Sequence, residues 1–139
     1  MLDSLKTPLA VVGRFLLALM FVVAGFGKLT GFAGTVGYIQ SKGLPAAEIL
    51  AALTVVLELG GGLLLMAGYQ VRWVALAMGL FTLLVTVIFH NFWAVPEAQA
   101  MVQKLMFMKN LSVAGGLFFV AALGSGPGSL DARRAGPAY

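Results

Sequence analysis

A chain of 139 residues, 60% hydrophobic and only 10% charged, is one domain's length and too apolar to hide its surface from water. Soluble domains carry about 25% charged residues, so the solvent here is lipid. The net charge of +4 is spread along the chain with no basic run, which points to membrane topology and contact with membrane lipids and away from nucleic acid. The absence of Cys removes disulfides, dithiol redox chemistry, thiolate catalysis and Cys-ligated clusters.

Four apolar segments follow one another: Leu9–Gly27, Ile49–Gly68, Trp73–Phe92 and Leu105–Leu123. Each holds 19 or 20 residues, and a membrane span needs about 20. Backbone groups in hydrocarbon must bond within their own segment, so the segments are helices. The fold class is all-α: an integral membrane four-helix bundle in a single domain over 1–139. Helices are expected at about 8–28, 45–68, 71–93 and 96–123, with a flexible, frayed tail over 124–139.

Local signals set these boundaries. Thr7-Pro8 reads as an N-cap followed by Pro at the first helical position. Pro45 starts the second helix in the same way, Gly68 is its C-terminal cap, and Pro96 opens the fourth. The first segment is too long, and too interrupted by Arg14, for a signal-peptide core, so it is expected to be retained. No repeat of solenoid period is present.

Four spans place both termini on one side, with Lys6, Arg72, Arg133 and Arg134. Lys28, Lys42 and Lys104 fall on the other. The excess of basic residues votes for termini in the cytoplasm, and "inner" and "outer" follow that orientation in this section.

Each span carries one charged or titratable group. A charge at the bilayer centre costs about 2.5–3.5 kcal/mol on insertion scales, so each needs a partner. In the first helix, Arg14, Ala18, Phe21, Gly25 and Lys28 share a stripe. In the second, Glu58 shares a face with Thr54, Gly61 and Gly62, and small residues mark a face where helices approach closely. Thr82, Thr86 and His90 align in the third, followed by Trp93. In the fourth, Lys109 shares a face with Ser112 and Gly116, and Asn110 adjoins it. Counted from the inner helix ends, Arg14 lies about 9 Å deep and Glu58 about 15 Å. An Arg side chain spans the difference, so a buried Arg14–Glu58 ion pair is expected. Lys28, His90, Trp93, Lys109 and Asn110 all come out near the outer surface, where they predict a polar cluster around one cavity.

Plainer readings stand beside these. The Arg14–Glu58 pair can serve packing register alone. Lys28 can snorkel to the headgroups, and His90 and Trp93 can sit in an interfacial belt. Lys109-Asn110 resists such a reading, because adjacent Lys and Asn carry two desolvation costs. Met101, Met106 and Met108 read as packing material. A lone His cannot supply both axial ligands of a bis-His haem, and with no HExxH and no carboxylate cluster no metal site is expected.

Four stretches carry a resemblance: AGFGKLTGFAGT at Ala24–Thr35, LELGGGLLLMAG at Leu57–Gly68, IFHNF at Ile88–Phe92 and FMKNLSVAGG at Phe107–Gly116. On these the chain resembles the DoxX family, and its small four-helix inner-membrane members above all, over nearly its whole length from Val12 to Leu123. The resemblance implies a four-helix protein of the bacterial cytoplasmic membrane. It also implies a redox setting. One branch of the family supplies the membrane subunit of a thiosulfate:quinone oxidoreductase, and another member is linked to oxidative-stress defence with soluble redox partners. Neither activity carries over residue by residue to this chain, which is the bare four-helix core.

Three functions compete. The first is a redox-linked membrane subunit that binds quinone or another small lipophilic molecule at the outer cluster. There His90 and Lys109 would bond carbonyl oxygens and Trp93 or Phe92 would stack. The chain has no electron carrier of its own, so electron transfer would need a bound cofactor such as a quinone, or soluble redox proteins as partners. The second is a non-catalytic scaffold for soluble redox or stress-defence enzymes. The third, a small proton-coupled transporter, ranks last, because its membrane Glu is expected to be paired. Glycine-lined faces leave a homodimer open.

Overall fold

The computed structural model describes residues 2–135 and is all helix, with no strand among the described residues. The helices are α1 (Leu2–Thr30), α2 (Phe32–Ser41), α3 (Ala47–Ala67), α4 (Val71–Phe89), α5 (Glu97–Leu123) and α6 (Leu130–Arg134). Four of them, α1, α3, α4 and α5, are long and apolar enough to cross a membrane. Large apolar side chains such as Leu16, Val23, Leu84 and Phe119 point outward, as lipid requires.

α1 begins at Leu2, six residues before the expected start at Pro8, which lies inside it. Pro forfeits one backbone bond and disturbs the preceding turn. It is tolerated here within the first two turns, where the Asp3–Lys6 ion pair (2.7 Å) also lies on the surface.

At Gly31 the backbone bends without breaking: Gly31 N–H donates to Gly27 O (2.9 Å) and Thr35 N–H to Gly31 O (3.1 Å). The chain then runs into α2, a helix that the span pattern did not predict. Its Phe32, Val36 and Ile39 pack on Ala47 and Ala51 of α3 together with Phe89 of α4. α2 thus covers one end of the bundle, called here the loop end. The opposite, terminal end carries the start of α1 and the end of α5.

α3 starts at Ala47, two residues after Pro45, following Ala46 in the left-handed region (φ 52°). Over Val56–Gly60 it widens into one π turn. Such turns insert an extra residue and rotate the face of the helix beyond them. This one contains Glu58 and leads directly into Gly61 and Gly62. A Cβ on Gly25 of α1 would lie 2.5 Å from the backbone N of Leu59, and one on Gly62 would lie 2.8 Å from Val22. The α1–α3 contact therefore brings backbone against backbone, which glycine alone permits. α3 closes at Gly68 (φ 74°), with Tyr69 N–H donating to Leu64 O and Gly68 N–H to Leu65 O. This is the double bond of a Schellman cap, which needs the left-handed conformation glycine adopts without strain.

The core of the terminal half is made by Ala18, Phe21, Leu65, Ala75, Met78 and Leu117. α5 packs along α4, and α1 packs along α3, whereas α1 and α5 barely meet. Their seam is held in the terminal half, where Leu17 lies against Gly116.

The segment after Gly124, expected to be frayed, is docked as far as residue 135. Asp131 accepts from Gln70 N–H (2.8 Å) and Val71 N–H (2.9 Å) and so caps the start of α4 from sixty residues away. Asp131 N–H in turn donates to Gly68 O, and the Arg134 guanidinium stacks over the Tyr69 ring at 5.2 Å. Polar groups thus hold a Gly/Pro-rich segment that has little apolar surface to bury. Residues 136–139 of the expected tail lie outside the described residues.

Candidate ligand-binding site

The expected Arg14–Glu58 pair does not form. Arg14 is buried, and its guanidinium donates to the backbone oxygens of Ser125, Gly128 (2.9 Å) and Met66 (3.4 Å). Met66 lies eight residues beyond Glu58, about 12 Å nearer the terminal end. The reason is register: the close fit of Gly25 against Leu59 leaves the first turns of α1, which extends back past Pro8 to Leu2, projecting beyond α3, and sets Arg14 beside the end of α3. There the free carbonyls of a helix C-terminus and of the folded-back segment suit a guanidinium's forked donors.

Glu58 pairs instead with Lys28. Lys28 Nζ donates to Glu58 Oε2 at 2.7 Å, with the side chains 34% and 11% exposed. The two residues converge because Lys28 lies on the stripe of α1 that carries Gly25, while the π turn aims Glu58 at that stripe. The partner of Lys28 sits eleven residues inside α3, about 16 Å of helix from Ala47.

This pair forms part of the wall of a cavity of about 320 Å³ between the helices. Among the residues expected at the outer cluster, Lys28, His90, Lys109 and Asn110 line it, joined by Glu58. Phe21, Phe81 and Phe89 supply aromatic wall, and Thr35 and Tyr38 of α2 close the loop end. The cavity lies deeper than the outer surface. Lys109 follows the first residue of α5 by twelve positions and precedes the last by fourteen, about 18 Å and 21 Å of helix.

Trp93 is not brought to this cavity. It is 60% exposed and packs edge-on against Phe92 (5.2 Å) and Phe107 (5.7 Å) outside it. Phe92, the other expected stacking partner, belongs to the same aromatic group and carries Lys104 over its ring. The 3₁₀ turn at Phe92–Ala94 takes both rings off the face that carries Thr82, Thr86 and His90.

The polar groups of the wall differ in how well they are satisfied. Thr82 and Thr86 donate back into their own helix, to Met78 O and Thr82 O. His90 Nδ1 hydrogen-bonds Gln103 Oε1 at 2.9 Å, and Nε2 has no partner among the described residues. Lys109 has no anionic partner among the described residues; Nζ meets only Met106 Sδ at 3.6 Å, and a thioether is a weak acceptor. Asn110 is 8% exposed, lines the cavity, and makes no side-chain hydrogen bond among the described residues. A mid-membrane ammonium without a counter-charge costs about 2.5–3.5 kcal/mol on insertion scales. Among the described residues, no three metal-ligating side chains come together.

Sequence reasoning missed the α2 residues Thr35 and Tyr38 and the phenylalanines of the wall. The signal for α2 was the spacing of Phe32, Val36 and Ile39 after Gly31, a short helical stripe.

Four membrane-length helices around a cavity of apolar wall and a few polar groups define a small multi-pass membrane protein. The chain belongs to the DoxX family, whose model, described as DoxX, matches residues 9–91. It is 41% identical over 121 residues to the inner membrane protein YqjF of Escherichia coli K12, a match covering 87% of this chain and 88% of that one. It is 34% identical over 128 residues to the inner membrane protein YphA of the same organism, covering 92% and 91% of the two chains. A yeast protein, the ER-derived vesicles protein ERV29 of Saccharomyces cerevisiae, is 26% identical over 132 residues, which span 95% of this chain and 36% of that protein. No solved structure matches the chain. The protein is therefore a bacterial inner-membrane member of the DoxX family.

Proposed function

We propose that the protein binds quinone or another small lipophilic molecule in the cavity between its spans, as a redox-linked membrane subunit. The observation that carries this reading is the convergence of unsatisfied polar groups, Lys109 Nζ, the Asn110 amide and His90 Nε2, on a cavity walled by Phe21, Phe81 and Phe89. Apolar walls with a few convergent polar groups are the usual make-up of a small-molecule site. A quinone head has two carbonyl oxygens to satisfy and a flat ring to pack, and this wall supplies donors and rings. Electrons would pass to a partner protein, since the chain itself offers no carrier. The terminal end, with Lys6, Arg72, Arg133 and Arg134, is taken to face the cytoplasm. The transporter reading loses its footing, because Glu58 is held by Lys28 and is not a free proton site.

The test is native mass spectrometry with lipid extraction on gently solubilised protein, followed by titration with decylubiquinone in nanodiscs. A co-purifying lipophile, and quinone binding that weakens in His90→Ala and Lys109→Ala, are expected. An empty bundle that takes up no quinone would overturn the proposal and send the search to soluble partners.

A further inference from the structure

We infer that the ligand of this cavity is an anionic amphiphile, entering from the bilayer between α1 and α5 and seating its headgroup on Lys109 and Asn110. The inference rests on the proposal that the cavity binds a lipophile, and specifies the charge of its head and its route.

The charge follows from counting. Three charged side chains line the cavity: Lys28, Glu58 and Lys109. Lys28 and Glu58 neutralise one another at 2.7 Å. His90 is engaged by Gln103 and adds no counter-charge. One positive charge remains, on Lys109, and its contact with Met106 Sδ does nothing to balance it. In a low-dielectric wall such a charge is satisfied by an anion, and a carboxylate or phosphate on an alkyl tail is the anion that a membrane supplies. A neutral head such as a quinone's accepts a hydrogen bond from the ammonium but leaves its charge unbalanced, and so binds more weakly than an anion. Asn110 is the independent observation. Its side chain is more than nine-tenths buried, lines the same cavity and has no partner of its own among the described residues. Its NH₂ group donates to an oxyanion held by Lys109.

The route follows from the packing. Lys109 is at once a wall residue of the cavity and exposed on the flank of the bundle, so the cavity opens beside it. The seam between α1 and α5 is sparse, far looser than those between α1 and α3 and between α4 and α5. Its close contact, Leu17 against Gly116, lies seven residues from Lys109, about 10 Å nearer the terminal end. The opening therefore faces acyl chains and not water, which suits a ligand whose tail stays in lipid while its head turns inward.

The experiment compares laurate with dodecanol, the same chain with and without a charge, and with decylubiquinone. Binding is measured to the intact protein in phosphatidylcholine nanodiscs at mildly alkaline pH. Wild type is expected to hold laurate about 10- to 100-fold more tightly than dodecanol, the range of one charge-assisted contact. Lys109→Gln and Asn110→Asp, which remove or internally neutralise the cation, should abolish that preference, and Lys109→Arg should keep it. Circular dichroism and gel filtration report whether each variant is folded. A fifth of phosphatidylglycerol in the disc separates two sources of the headgroup. Displacement of laurate would assign it to a bilayer phospholipid, and persistence to a single-chain amphiphile; both support the anion site. Equal binding of laurate and dodecanol, or equal weakening of both in Lys109→Gln, would overturn the anionic assignment and leave lipophile binding standing. Failure of all three probes would overturn both.

Discussion

Lys28 and Glu58 offer the sharpest test of how the bundle is held. Lys28→Met removes the cation and leaves a carboxylate that is 11% exposed facing an apolar wall. Breaking a fully buried pair from one side costs about 3–5 kcal/mol. Here the Lys side is 34% exposed, so water and the cavity soften the loss, and about 2–3 kcal/mol is expected. Glu58→Met leaves Lys28, 34% exposed, free to turn toward the cavity, and should cost about 1–2 kcal/mol. The double variant Lys28→Met/Glu58→Met removes both desolvation penalties along with the attraction, and should lie within about 1 kcal/mol of wild type. The coupling read from the cycle, the two single losses less the double, is then about 2–5 kcal/mol. Reversible unfolding by sodium dodecyl sulfate in mixed micelles, followed by far-UV circular dichroism, measures each corner. If the double variant loses the sum of the singles, the two residues are not partners. If Arg14→Met couples to Glu58→Met while Lys28→Met does not, Glu58 pairs with Arg14 and not with Lys28.

Other outcomes follow from the same packing. Gly25→Ala drives a Cβ to 2.5 Å from the Leu59 backbone and should destabilise by about 1–3 kcal/mol; Gly27→Ala meets nothing within 4 Å and should change stability by less than about 0.5 kcal/mol. The same detergent titration reads both. Asp131→Ala removes the two-bond cap on Gln70 and Val71 and should cost about 1–2 kcal/mol, with faster amide exchange at those two residues by NMR. Trp93→Leu, outside the cavity, should leave binding of decylubiquinone and laurate within about twofold of wild type, whereas His90→Ala weakens the quinone.

The spans were legible because lipid imposes a length: an apolar run of about 20 residues has few alternatives to a crossing helix. α2 was less so. Ten residues between Gly31 and Lys42 are too short to span, and their apolar stripe of Phe32, Val36 and Ile39 is too brief to stand out from a loop. Faces were readable and depths were not. Spacing put Lys28 and Arg14 on one stripe of α1 and Glu58 on the inward face of α3. Choosing between the two cations needed the vertical offset of the helices. That offset is set by where Gly25 meets Leu59 and by one extra residue in a π turn, neither of which has a signal in hydropathy. Two of Arg14's three acceptors lie 111 and 114 residues away in sequence, in a segment whose Gly/Pro content suggested no structure. Lys28, His90, Lys109 and Asn110 share a cavity because one polar group per span, facing inward at similar level, is cheapest when the groups meet. Trp93 left that company through a local turn that its helical spacing did not reveal.

The Arg14 clamp also bears on the order of assembly. Two of its acceptors, Ser125 and Gly128, follow the fourth span, while Arg14 lies in the first. During biosynthesis the guanidinium enters the membrane long before those carbonyls exist, with Met66 alone arriving between. It must wait at the headgroups or keep water with it until the last span is inserted and the chain returns. The first crossing helix therefore reaches its native depth only after translation has passed residue 128, so the bundle acquires its terminal end as a late, single event and not helix by helix.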